Sequence, residues 1–250
     1  MKFHQCEKKF IAYAKSYLTG CEEFDRNIWL KLAHTQRVLS FAQVISAQEH
    51  YSGYDEKTTL FSALFHDVSR FEQFKRYQSY RDSADFDHGN ESELILRSGI
   101  FDFDDVDHEE FECIAYAVRM HNKLSVPENA DNALLAVRDA DKLDIFAVIL
   151  DELDNPRNPK VLYSLSTENR FSEQVTAAVR NHTSPLHSEL ETVNDFVISK
   201  AAWVYDLNTA SAKQLFIEAD YLDRLRRHLP ECDLVDETFC DVKNYLYNGR

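Results

Sequence analysis

Leu64-Phe65-His66-Asp67-Val68-Ser69-Arg70-Phe71-Glu72-Gln73 is the stretch on which the fold turns. Leu60, Leu64 and Phe65 recur at helical spacing, which predicts a helix over about 56–68 that ends on the His-Asp pair. Adjacent helical residues diverge by about 100°. Two neighbours therefore share one target most easily where the helix ends and the backbone is freer. A His-Asp pair alone carries little information. Its weight comes from what lies around it: His34 before, then His88, His121 and Asp141 after.

These residues sit on apolar helix stripes. Leu30, His34, Val38, Phe41 and Ile45 share one face of a helix expected from Asp25, its N-cap, to about Glu49. Phe111, Ile114, Val118 and His121 share another, on a helix capped by Asp107. Leu134, Asp141, Ile145 and Val148 share a third, over about 131–153. His88-Gly89 opens a short helix through Leu94 and Leu96. A histidine on an apolar face is more often a hydrogen-bonded core residue than a ligand. A carboxylate there is costly without compensation, and for Asp141 a metal, Arg138 or Lys142 would each supply it. Neutral imidazole with ionised carboxylate is the mixed donor set that holds one or two catalytic divalent metals.

The rest of the chain agrees with an all-helical protein. Among 250 residues, glycine and proline number 5 each, so tight turns are few and long helices are favoured. A first helix is expected over about 3–18. Asn155-Pro156-Arg157-Asn158-Pro159 is a clear break, and helices follow near 168–181, 190–206, 209–228 and 237–247. The expected organisation is a metal-binding helical core over 1–154, with 155–250 a helical extension packed on it and not independent. The net charge of −15 argues against stable nucleic-acid binding. Five cysteines, with no Cys-x-x-Cys, are expected to be reduced thiols without a role. The N-terminus lacks an apolar signal core, and Leu143 to Leu150 is too short to span a bilayer. A cytoplasmic protein without membrane contact is expected.

The run His34-Thr35-Gln36-Arg37-Val38, then Leu64 to Gln73, then His88-Gly89, His121-Asn122 and Arg138-Asp139-Ala140-Asp141-Lys142-Leu143-Asp144 resembles the HD-domain superfamily of all-helical, metal-dependent phosphohydrolases. The resemblance covers about 26–154. It is similar above all to a bacterial subgroup with an Arg-Phe-Glu-Gln segment after the His-Asp pair, although Ser69 stands where that subgroup often has glycine. It implies that His34, His66, Asp67 and Asp141 hold a first metal. It also implies that His88 and His121 hold a second, with Asp67 as bridge. Asp139 is a rival to Asp141, but lies two residues away on another helix face. Asp144, one turn on, is a candidate partner for a ligand.

The implied chemistry is attack on phosphorus by hydroxide from a water whose pKa two divalent ions lower. Mn²⁺, Fe²⁺, Co²⁺, Ni²⁺ and Zn²⁺ all suit these donors. The expected substrate is a phosphate monoester or anhydride, a nucleotide or another small phosphorylated metabolite. Residues 70–81 read as a basic, aromatic loop in which Arg70, Lys75, Arg76 and Arg81 face only Glu72 as an acid. Arg70, Lys142 and Lys123 are candidate phosphate contacts, against the alternative of surface salt bridges. Glu72 is a candidate general acid, or else a partner of Arg70 or Lys75. Phe71, Phe74, Tyr77 and Tyr80 are candidates to stack on a base, or anchors to the core. His182 and His187 are candidates to line a pocket. Two other readings remain open: a di-iron oxygenase on the same scaffold, and a metal-containing regulatory module that turns nothing over.

Overall fold

Helix α2, Glu22–Gln48, buries Ile28, Leu32, Thr35, Val38, Leu39, Ala42 and Ile45, a three-and-four spacing that defines its inner face. His34 is buried on that face as expected, but Leu30 is 50% exposed. Leu30 stands four residues before His34, and the buried face instead runs through Ile28 and Leu32. Asp25 lies inside the helix instead of capping it. Its carboxylate turns back to accept from the backbone N–H of Thr19 at 2.8 Å and of Gly20 at 2.9 Å, closing the turn before α2. That turn needs Gly20, whose φ of 88° lies in the left-handed region.

The structure, a computed structural model, describes residues 3–155 and 165–248. Most of the expected break after Asn155 lies outside the described residues. The fold is all-α, with no β-strand among the described residues. The chain divides into two compact units, Met1–Asp144 and Ile145–Arg250. The division falls within α7, Asn132–Asp154. No helix among the described residues is long and apolar enough to cross a membrane.

The N-terminal unit contains α1 (Phe3–Lys15), α2, α3 (Tyr54–Phe65), α4 (Arg70–Tyr77), α5 (His88–Arg97), α6 (His108–Met120) and the start of α7. Helix α1 buries Cys6, Phe10 and Ala14, one residue per turn. Phe10 sets its ring edge-on to Phe65 and Phe71, with centroids 5.7 and 5.9 Å away. Fully burying such a side chain contributes about 1.5–3 kcal/mol. Asp107 caps α6 through a reciprocal box with Glu110, at 2.9 Å in each direction.

Helix α4 replaces the loop expected over 70–81. Two features hold it: Phe71 and Phe74 are buried one turn apart, and Glu72 pairs with Arg76 at 2.7 Å across the outer face. Phe74 packs against Phe24 and Tyr80, so these aromatics anchor the segment, while Tyr77 is exposed.

The C-terminal unit contains the rest of α7, then α8 (Glu173–Arg180), α9 (Val193–Ala202), α10 (Ala210–Glu218), α11 (Tyr221–Arg226) and α12 (Asp233–Asn248). The helix expected over 209–228 is two helices, because Asp220 adopts a left-handed φ of 55° between them. Phe146, Trp203, Phe216 and Tyr221 form an aromatic cluster in this unit. Val148, placed on the apolar stripe of α7 by periodicity, is 44% exposed.

Candidate metal centre

Five elements of the N-terminal unit end or pass at one point. His34 lies mid-helix in α2, His66 and Asp67 in the turn after α3, His88 at the first position of α5, and His121 at the C-terminus of α6. Asp141 comes from α7. The close approach of α5 and α6 depends on Gly89. A Cβ there would lie 2.5 Å from the Arg119 carbonyl oxygen and 2.6 Å from Asn122 Oδ1. Glycine is what lets His88 reach His121. Arg138 fixes the other side of α6, donating to the carbonyls of His121 at 2.9 Å and Lys123 at 2.6 Å.

Each imidazole is oriented by its far nitrogen. Nδ1 of His66 donates to the Ala63 carbonyl at 2.8 Å, and that of His121 to the Val118 carbonyl at 2.7 Å. His34 Nδ1 donates to Asp144 at 2.6 Å, and His88 Nδ1 to Asp82 at 2.5 Å. Carbonyls and carboxylates only accept, so Nδ1 carries the hydrogen in all four rings. All four turn Nε2 into the cluster.

Around Nε2 the structure makes two sets that share Asp67. In the first, His34 Nε2 lies 3.3 Å from His66 Nε2, 3.4 Å from Asp67 Oδ2 and 3.2 Å from Asp141 Oδ1. His66 Nε2 lies 3.6 Å from Asp67 Oδ2 and 3.9 Å from Asp141 Oδ1. In the second, His88 Nε2 lies 3.1 Å from His121 Nε2 and 3.5 Å from Asp67 Oδ1, with His121 Nε2 4.0 Å from the same oxygen. Donors about 2.0–2.2 Å from a common ion stand about 3.0–3.5 Å apart in octahedral or tetrahedral arrangement. Both sets are close to that spacing, and His34, His66 and Asp67 in the first, like Asp67, His88 and His121 in the second, could hold a metal ion. One oxygen of Asp67 serves each set.

The donors fit a cation electrostatically as well. Two Nε2 acceptors at 3.1 Å repel unless positive charge lies between them. Burial lowers the pKa of His66, and lowers that of His121 well below the usual range with help from neighbouring His88 and His66. These rings are neutral and ready to ligate. His34 differs: burial and Lys31 press its pKa down, but Asp141, Asp144 and Asp67 outweigh them and raise it to about 10. Asp67 is held well below the usual carboxylate range. Burial alone would raise it, and Lys31, His66 and Arg70 overcome that.

The other residues expected at the site fall in several places. Arg70 borders it, donating from Nε to Asp67 Oδ1 at 3.1 Å and from Nη2 to His88 Nε2 at 3.2 Å. Its Nη1 is bound by Gln73, the Tyr80 carbonyl and Asp82 at 2.6–2.9 Å, so the guanidinium is fixed. Lys142 is half-buried, one position after Asp141 and hence about 100° around α7 from it. Lys123 is drawn away to the start of α5, where it binds Asp87 at 2.5 Å and Asn90 at 3.3 Å. Glu72 faces outward on α4. Burial would raise its pKa, yet Arg76 and Tyr17 lower it, so it is ionised and suits a salt bridge better than proton donation. In the C-terminal unit His182 stacks on Tyr205 with centroids 4.2 Å apart, and His187 begins a short 3-10 turn.

Lys31, Arg37 and Asp82 border these ligands without having been expected there. Lys31 Nζ donates to Asp67 Oδ2 at 2.7 Å. Arg37 grips Asp144 with two bonds, of 2.6 and 3.0 Å, and so fixes the carboxylate that orients His34. Lys31 and Arg37 stand three residues either side of His34, a helical spacing visible in the sequence. Asp82 lies in the irregular segment between α4 and α5 and leaves no such signal. Partners of this kind set ligand orientation and basicity. Asp144→Asn should therefore lower metal affinity by about 10–100-fold, measured by chelator competition, with the helical circular dichroism unchanged.

The family model of the HD domain matches residues 32–155, a span that holds every ligand candidate from His34 to Asp141. The match makes residues 32–155 a domain of the HD-domain superfamily. Members of that superfamily bind divalent metals and are in general metal-dependent phosphohydrolases. Searches among curated proteins and solved structures returned no match.

Proposed function

We propose that this protein is a divalent-metal-dependent phosphohydrolase acting on a phosphate monoester or anhydride, a nucleotide or another small phosphorylated metabolite. One observation carries the reading. Four imidazoles, each committed at Nδ1 to an acceptor, aim Nε2 at the two oxygens of a single carboxylate, Asp67. His34, His66, Asp67 and Asp141 would hold one ion, and Asp67, His88 and His121 a second. A divalent ion in such a centre acts as a Lewis acid toward phosphoryl oxygen and lowers the pKa of a water bound to it.

The chain's own groups supply the rest. Asp67 aligns the two sets by belonging to both. Asp144 and Asp82 accept from Nδ1 of His34 and His88 and so leave Nε2 as the nitrogen that faces the metal sets. Arg70, fixed by four groups besides His88, sets a guanidinium at the second set, where it can bond phosphoryl oxygens. The burial of His66 and His121 keeps bulk water from the inner side, while Asp141, 20% exposed, marks the open side.

The test is a panel of phosphate monoesters and anhydrides with protein loaded with Mn²⁺, Fe²⁺, Co²⁺, Ni²⁺ or Zn²⁺. Phosphate or pyrophosphate should be released and the release stopped by chelator. Protein shown by elemental analysis to be loaded, yet inert toward the whole panel, would overturn the assignment. Oxygen uptake on a cyclic polyol would move it to the oxygenase branch.

A further inference from the structure

Asp67 has a cation on each oxygen. On Oδ1, Arg70 is held by its other bonds to Gln73, the Tyr80 carbonyl and Asp82. On Oδ2 the cation is Lys31, and its situation differs. Among the described residues, Asp67 is its one hydrogen-bond partner, at 2.7 Å, and its other neighbour is the face of Tyr80, with Nζ 5.2 Å from the ring centroid. Its side chain is 15% exposed, whereas His66 is fully enclosed, so Lys31 stands toward the open side of the first set.

The same oxygen, Oδ2, is the one that His34 and His66 face at 3.4 and 3.6 Å. It serves the first metal set and the ammonium alike. Like charges within a few ångströms repel in a site of low polarity. A divalent ion held by His34, His66 and Asp67 would therefore weaken the hold of Asp67 on Lys31. An ammonium on a flexible four-carbon stem can swing, which a guanidinium tied to four groups cannot. Having lost its carboxylate, it needs another anion, and the open side is where a phosphoryl group would arrive.

Resting on the phosphohydrolase reading above, we propose that Lys31 is a substrate-binding residue that exchanges Asp67 for the phosphoryl group when the first metal set fills. Lys31 thereby makes phosphate recognition conditional on metal. Without the ion the ammonium is bound to Asp67, and with it the ammonium is released toward the substrate. Tyr80, its aromatic face beside Nζ and its hydroxyl bound to the Asn27 carbonyl at 2.7 Å, guides the swing.

Calorimetric titration of Lys31→Gln, Lys31→Arg and the wild type, first with Mn²⁺ and then, on loaded protein, with inorganic phosphate, tests this. Lys31→Gln should bind Mn²⁺ at least as tightly as the wild type, because a competing cation is gone. Its phosphate affinity should fall about 10–100-fold, and Lys31→Arg should recover most of the loss. Wild type without metal should bind phosphate weakly. Unchanged phosphate affinity in Lys31→Gln overturns the proposal. So does a fall in Mn²⁺ affinity, since that would make Lys31 a support for the ligands. If phosphate binding depends on Lys31 but no phosphoester is cleaved, the exchange stands and the hydrolase reading falls. If the wild type takes up no metal, both fall.

Discussion

Asp67→Ala, purified under conditions that load the wild type, should carry no divalent ion at either set, and its metal-dependent turnover should be lost. The reason is its double membership. Oδ2 faces His34 and His66, and Oδ1 faces His88 and His121. Removing a single transition-state donor commonly costs about 10²–10³ in rate. A residue that serves two ions should cost more than that. The contrast with His121→Ala is diagnostic. His121 belongs to the second set alone, so its loss should leave one ion per chain, against the two expected for the wild type. Elemental analysis of the three proteins reads the difference directly. Equal metal content in Asp67→Ala and wild type would show that the sets do not share this carboxylate.

Lys200→Met should stabilise the C-terminal unit, and by more at pH 6 than at pH 9. Lys200 is 6% exposed on α9, with no carboxylate among the described residues in ion-pair reach. Burial lowers its pKa from 10.5 to about 7. The sign follows from proton counts. Between about 7 and 10.5 the unfolded chain holds a proton that the folded chain does not, so stability rises with pH across that window. Below about 7 the folded protein carries the full cost of a buried ammonium, on the order of several kcal/mol at about 1.4 kcal/mol per pH unit. The aromatic faces of Trp203 at 3.7 Å and Phe196 at 4.7 Å offset part of it. Methionine keeps similar length and no charge. Denaturant midpoints at the two pH values measure the effect. Equal gains at both, or a loss, would refute it.

Most of the candidate metal centre is legible in the sequence because its donors are tied to helices. His34 and His121 stand on apolar stripes, and His66-Asp67 ends a third helix, so periodicity alone points them inward. Asp141 is chosen over Asp139 by helical phase, and Asp141 Oδ1 lies 3.2 Å from His34 Nε2. Legibility fails where a role depends on contacts distant in sequence. Lys123 looks available beside His121, yet Asp87, 36 residues away, binds it. Glu72 looks like an acid near the pair, but Tyr17, far from it in sequence, joins Arg76 in lowering its pKa. Helix α4 escapes a periodicity reading because its eight residues offer only Phe71 and Phe74 as an apolar signal and Ser69 makes no side-chain cap. Leu30 and Val148 show the opposite failure: apolar residues at helical spacing that the fold leaves in water.

The anchoring of all four imidazoles at Nδ1 has a consequence for how the pocket comes and goes. None of these rings can flip without breaking a hydrogen bond, and two of the four bonds are made to carbonyls of the ring's own helical turn. The rotational freedom of the ligands is thus surrendered when the backbone coils, long before an ion arrives. A pocket so arranged is shaped before any ion enters it, and an incoming cation would give up hydration water without first having to turn these rings.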